Sequence, residues 1–205
     1  THSLAYQAVV KPYGFTLGVV NYRDVSTRDY ETSSSVIRLF NEFCASAYLS
    51  LESFYLDNEV PDNISTLVSE LFHRIESTDL PCPHNFYLKY FHLLLATGQL
   101  TYEPFDILML DEAGDLNPVT KAIYDLLPAI RKIMVGDSLQ NIFVFNHTVD
   151  CLSTDDDSTP TFSMTRSFRV SESIANSIQR FCRRYLSPTM DFVGVPVPDQ
   201  SVTST

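Results

Sequence analysis

From residue 32 to 55, apolar side chains recur at helical spacing: Val36, Leu39, Phe40, Phe43, Ala47 and Leu51. Such a stripe predicts an amphipathic helix. Ser33, Ser34 and Ser35 offer hydroxyls for its N-cap. Pro61-Asp62-Asn63 breaks the pattern, and a second helix follows over 64–75, with Leu67, Val68, Leu71, Phe72 and Ile75 on one face. Leu80-Pro81-Cys82-Pro83 is another break. The third helix, over 86–96, is rich in aromatic residues and ends at Thr97-Gly98, a glycine C-cap signal. Upstream the pattern is weaker. Residues 1–10 are short and mixed, and 13–22, with Gly14 and Gly18, read as loop and short extended structure.

The period then changes. Phe105-Asp106-Ile107-Leu108-Met109-Leu110 is a short, nearly continuous apolar run. Such a run predicts a strand buried within a parallel sheet. A helix over 118–127, with proline near its first turn, comes next. Residues 131–135 predict a second strand, running into Gly136-Asp137, and 142–145 are aromatic and apolar. The polar, acidic stretch 154–160 marks an internal boundary. Residues 161–165 alternate as a third strand does, and 171–185 form a helix carrying Ile174, Ile178 and Phe181. The tail, 196–205, is expected to be disordered. No internal repeat is visible. The order is a helical section, then strand–helix–strand, then a linker opening a second α/β unit.

Composition narrows the class. A chain of 205 residues, 44% hydrophobic and 12% aromatic, can bury a real core in one large or two small domains. The net charge of -11 argues against a free-standing nucleic-acid binder and leaves an acidic surface that a basic protein partner could engage. Cys44, Cys82, Cys151 and Cys182 form no C-x-x-C pair and have no metal-ligand spacing. They read as reduced thiols of an intracellular protein, in a nucleus or a bacterial cytoplasm. No apolar stretch approaches the ~18 residues that span a membrane, and no signal peptide is evident. The first residue is Thr1 rather than methionine, which the choice of expressed segment, processing or an internal position in a longer protein would each explain.

The chemistry gathers where apolar runs end in acid. Asp111-Glu112-x-x-Asp115 closes the first strand and Gly136-Asp137-x-x-Gln140 the second. The carboxyl ends of strands are where open α/β sheets bind ligands. Adjacent carboxylates there suit nucleotide hydrolysis: one holds a hydrated Mg²⁺ on a phosphate, and the other orients or deprotonates a water. That is the Walker B half of a nucleotide-hydrolysis site. The glycine-rich phosphate loop ending in Gly-Lys-Ser/Thr appears nowhere in the chain.

These two turns, with Thr1-His2-Ser3-Leu4-Ala5-Tyr6 before them and Ser167-Phe168-Arg169 after, resemble motifs Ib, II, III and IV of superfamily 1 helicases of the UvrD/Rep type. The nearest likeness is to the F-box DNA helicase branch and its relatives without an F-box. His84-Asn85-Phe86-Tyr87-Leu88-Lys89 is similar to a His-Asp-x-Tyr-Leu-Lys segment before motif II there. The likeness runs from about residue 85 to 185 and is thin over 10–83.

The resemblance implies an α/β fold: a partial RecA-like P-loop NTPase lobe with a helical insertion, then the beginning of a second RecA-like lobe. Residues 1–20 would be the edge of the first lobe, 21–100 the insertion, 101–153 the rest of that lobe, 154–160 the linker, 161–195 the second lobe's start and 196–205 a tail. It implies ATP and Mg²⁺ as cofactors and single-stranded DNA as partner, with the missing helicase segments in the same or another chain. Asp111 would hold Mg²⁺ and Glu112 would activate water. Gln140 would sense the γ-phosphate, and Arg169 would reach it from the second lobe. Phe143 and Phe145 would stack on bases, worth about 1–3 kcal/mol each. Thr1, His2 and Ser3 would lie along the DNA backbone.

The chain departs from the pattern at Gly114, where the family has glutamine, and at Asn146 and His147, where Arg-Gly is usual. Plainer roles stay open. Asp115 suits a cap on the helix after it, Phe143 and Phe145 suit core packing, and His2 and His84 suit structural histidines. Tyr87 and Lys89 read as core and surface. Two other functions fit parts of the pattern. One is a non-catalytic helicase remnant that binds a protein. The other is a metal-dependent nuclease or phosphatase built on Asp111, Glu112 and Asp137. A RecA-like sheet missing its first strands would have an unpaired edge, and poor solubility follows.

Overall fold

A computed structural model of the chain describes residues 2–18, 30–114, 116–137, 152, 159–186 and 191–196. It is mixed α/β, helix-rich, with small parallel sheets. Two compact units divide it, 1–154 and 155–205.

The first unit is built around aromatic helices. α1 (His2–Ala5), a π-helical turn (Tyr6–Val10) and α2 (Lys11–Tyr13) run continuously, where the sequence pattern had suggested only a mixed stretch. Ala5, Val9 and Val10 are buried from this run. α2 ends at Gly14 with φ 71°, the left-handed conformation glycine adopts without strain. Just beyond, Leu17 bridges Cys82 in extended fashion, and a Cβ at Gly18 would stand 2.4 Å from that of Pro81.

The helix expected over 32–55 is two helices. α3 (Tyr30–Ala45) and α4 (Leu51–Asp57) are separated by a break at residues 46–50. Ser33–Ser35 lie inside α3 rather than at its N-cap position. The cap belongs to Ser50, whose side chain accepts the Ser53 N–H of α4 at 3.2 Å. α5 (Asp62–Glu76) buries Val68, Leu71, Phe72 and Ile75, and α3 packs on it. α6 (His84–Ala96) is buried nearly all round, as befits a central helix whose aromatic and leucine side chains occur on every face. Phe86 is the hub, with ring centroids 4.8 Å from Phe72, 5.7 Å from Tyr90 and 6.3 Å from Phe40. Truncating such a residue to alanine costs roughly 3–5 kcal/mol.

Lys89 is not the surface residue its charge suggested. It is fully buried on α6. Its ammonium donates to the Ser46 carbonyl at 3.1 Å and to the Tyr48 carbonyl, and it lies 4.2 Å over the Phe43 ring. It thus satisfies carbonyls freed where α3 ends.

β1 (Phe105–Leu110), α7 (Pro118–Leu126) and β2 (Ala129–Met134) form a parallel strand–helix–strand unit, with Ile107 opposite Arg131 and Met109 opposite Ile133. Asn117 caps α7, its side chain accepting the Thr120 N–H at 3.0 Å. The cap role considered for Asp115 therefore falls to Asn117, immediately before Pro118. β1 also departs from expectation. Leu110 is buried, but Ile107 is 52% and Met109 66% exposed. The run is apolar enough for a sheet covered on both faces, yet among the described residues β1 pairs with β2 alone.

The second unit holds β3 (Arg166–Ser171), α8 (Glu172–Tyr185) and β4 (Val193–Val195), the strands parallel. The expected strand at 161–165 is absent; the strand is 166–171 instead. Pairing with β4 fixes it, since Arg166 stands opposite Val193, and Phe162 and Met164 are left exposed. Ser171 caps α8 through the Ile174 N–H.

Candidate functional site

Two turns meet at the carboxyl end of the β1–β2 sheet. Because the strands are parallel and in register, both leave the sheet on the same side. The Val135 N–H donates to the Leu110 carbonyl at 2.8 Å, and the Ala113 N–H donates back to the Val135 carbonyl at 2.9 Å. These bonds carry the ladder past the last strand residues and tie the turns together. Glycines let them close further. A Cβ on Gly114 would stand 2.7 Å from the Asp137 carbonyl oxygen. One on Gly136 would stand 2.7 Å from the Ala113 nitrogen and 2.9 Å from that of Gly114.

Asp111, Glu112 and Asp137 are all exposed on these turns. One Asp111 carboxylate oxygen accepts the Glu112 N–H at 3.0 Å. Glu112 has φ 55°. A residue with a Cβ seldom adopts that left-handed conformation, which costs roughly 1–2 kcal/mol. The most chemically interesting carboxylate thus sits on the most strained backbone of the turn.

The described residues contain no group of three or more His, Cys, Asp or Glu side chains arranged to hold a metal ion. The turn fits Mg²⁺ only in the mode where one or two protein carboxylates, waters and a ligand's phosphates share the ion. No phosphate-cradling loop occurs in the sequence to supply the other half.

The remaining candidates are scattered. Thr1, Gln140, Phe143 and Phe145 lie outside the described residues, as do Asp115, Asn146 and His147. His2 begins α1, with its side chain outside the description, and Ser3 is exposed on that helix. Arg169 belongs to the second unit. It is exposed and lies within β3, not in a turn beyond a strand. His84 lies in the first turn of α6, its Nδ1 3.3 Å from the Tyr87 hydroxyl. The feature that sequence reasoning missed is the glycine contact. Gly114 and Gly136 signalled it only as two glycines flanking acidic residues.

No family model matches the chain, and no curated protein matches it. No helix among the described residues is long and apolar enough to cross a membrane.

Proposed function

We propose that this chain is a portion of an ATP-dependent 3′-to-5′ DNA helicase or translocase, inactive alone, that couples ATP hydrolysis to movement on single-stranded DNA in repair or recombination. In this reading residues 101–153 belong to a RecA-like lobe, 21–100 are its helical insertion, and 161–195 begin a second lobe. One observation carries the reading. Two parallel strands end side by side in acidic turns of the form D-E-x-x-D and G-D-x-x-Q, with their carboxylates exposed at one sheet end.

A bound Mg²⁺–nucleotide would supply a phosphoanhydride whose charge the ion partly neutralises. The rest falls to the chain. Asp111, one oxygen engaged by the Glu112 N–H, offers its other oxygen to the ion. Glu112, whose backbone has φ 55°, would orient a water and accept its proton. Gln140 and Arg169 complete the set by the sequence resemblance.

The absent phosphate loop and the net charge of -11 favour a second reading, a non-catalytic helicase remnant that binds a protein. Calorimetry with an ATP analogue and Mg²⁺ separates the two, on this chain and on a form carrying any coding sequence upstream of Thr1. The helicase reading expects binding by the extended form alone, with DNA-stimulated hydrolysis that Glu112→Gln abolishes. Absence of binding by both forms favours the remnant.

A further inference from the structure

We propose that Gly114 and Gly136 are positioning residues. Their missing side chains let the two strand-end turns lock together, and the lock holds Glu112 in the left-handed conformation that aims its carboxylate. The functional half of this proposal rests on the hydrolytic reading of Glu112.

The strain at Glu112 needs a cause. An isolated turn would relax a glutamate from φ 55° to negative φ, so its surroundings must over-determine the backbone. They do so from both sides. On one side the Glu112 N–H is engaged by the Asp111 carboxylate at 3.0 Å. On the other the Ala113 N–H is engaged by Val135 at 2.9 Å, and both Ala113 and Gly114 are buried. That second hold requires the backbones of 113–114 and 136–137 to touch. A methyl group at 114 would come within 2.7 Å of the Asp137 carbonyl oxygen, and one at 136 within 2.9 Å of two backbone nitrogens. Contacts below about 3 Å to backbone atoms cannot be met by a side-chain rotation, because a packed interior yields little. Either the turns part or the residue stays glycine. Gly114 is thus more than the loss of a polar side chain: it makes room for the Asp137 backbone.

The first test is hydrogen exchange on the full chain. In Gly114→Ala the Ala113 amide should exchange about tenfold faster or more, while amides in the β1–β2 ladder keep their protection. Unchanged exchange at Ala113 overturns the lock. Should Gly114→Ala fail to fold, Glu112→Gly provides the second arm. Glycine takes φ 55° without strain, so this variant should melt at a higher temperature than the parent. A lower or equal melting temperature overturns the strain. The third arm is turnover in the extended form. Gly114→Ala should lower kcat for ATP about tenfold or more while leaving KM unchanged, as expected of a misaimed water-activating group. A parallel rise in KM at constant kcat overturns the positioning role. If the parent hydrolyses no ATP, the hydrolytic reading falls, and the exchange arm still decides the lock and the melting arm the strain.

Discussion

Lys89 shows how far a single residue's setting can depart from its type. Burial pushes its ammonium down to about 8, against an ordinary 10.5, with Cys44 partly opposing. Nearby His92 is pushed down to about 4 from 6.5, first by burial and then by the Lys89 charge. Both shifts act on stability in the same direction. Between pH 8 and 10.5 the unfolded chain holds a proton on Lys89 that the folded chain has released, so Lys89 makes stability rise with pH. Above pH 9 the Cys44 and Cys82 thiols, both pushed up by burial, keep protons the unfolded chain has lost and oppose it, so the rise is confined to pH 8–9. Between pH 6.5 and 4 the unfolded chain protonates His92 first, so stability falls as the solution is acidified. Melting temperature measured across pH should show both slopes. Lys89→Met should flatten the alkaline one and His92→Gln the acid one; slopes that survive these changes contradict the assignment. None of this was legible in the sequence. A lysine beside tyrosine and leucine reads as a snorkelling surface residue. Only packing reveals that the carbonyls at the end of α3 lie within its reach.

At the scale of elements, the helices were the legible part, because each carries its own period. The stripes of α5 and α6 mark what these helices bury. Their ends were less legible, since capping depends on one side chain and one backbone angle. At α7 the acidic residue drew attention, but the cap is Asn117, whose position immediately before Pro118 suits the N-cap. Asn117→Ala should cost about 1 kcal/mol in chemical denaturation of the first unit. No measurable loss would show that α7 is held by its packing on α6 and α3. Strands were harder still, because a strand needs a partner. The alternation at 161–165 is a sound strand signal, yet β4 offers its three residues opposite β3. At the acidic turns the sequence showed which carboxylates share a strand end. It could not show the strain at Glu112 or the backbone contact that sustains it, since both arise from the approach of chain segments far apart in sequence.

At the scale of the whole molecule, the contrast is between a dense helical core and thinly covered sheets. Ile107 and Met109 are exposed on β1, and Ile130 on β2 is 72% exposed. On α8 Ile174, Phe181 and Tyr185 are exposed as well, as are Phe162 and Phe168 before and within β3. Parallel sheets are ordinarily covered on both faces, and apolar patches of this kind promote association. Sedimentation velocity should therefore show the chain associating as its concentration rises, with Met109→Lys reducing the effect. A monomer at every concentration that melts in one cooperative step would contradict this. The first strand's composition suits a larger sheet than the one β1 and β2 make among the described residues, which is why it looked buried in the sequence.

The buried amine of α6 has one more consequence, which concerns chemical accessibility. Reagents that acylate lysines, and enzymes that modify them, act on an amine they can reach. Lys11, Lys121 and Lys132 retain exposure, whereas Lys89 is sealed beneath the α3–α4 connection. Its modification must wait for that connection to lift, so Lys89 reacts at the pace of the core's own opening. A residue that reads as decoration in the sequence thereby becomes a clock for the opening of the buried helical core.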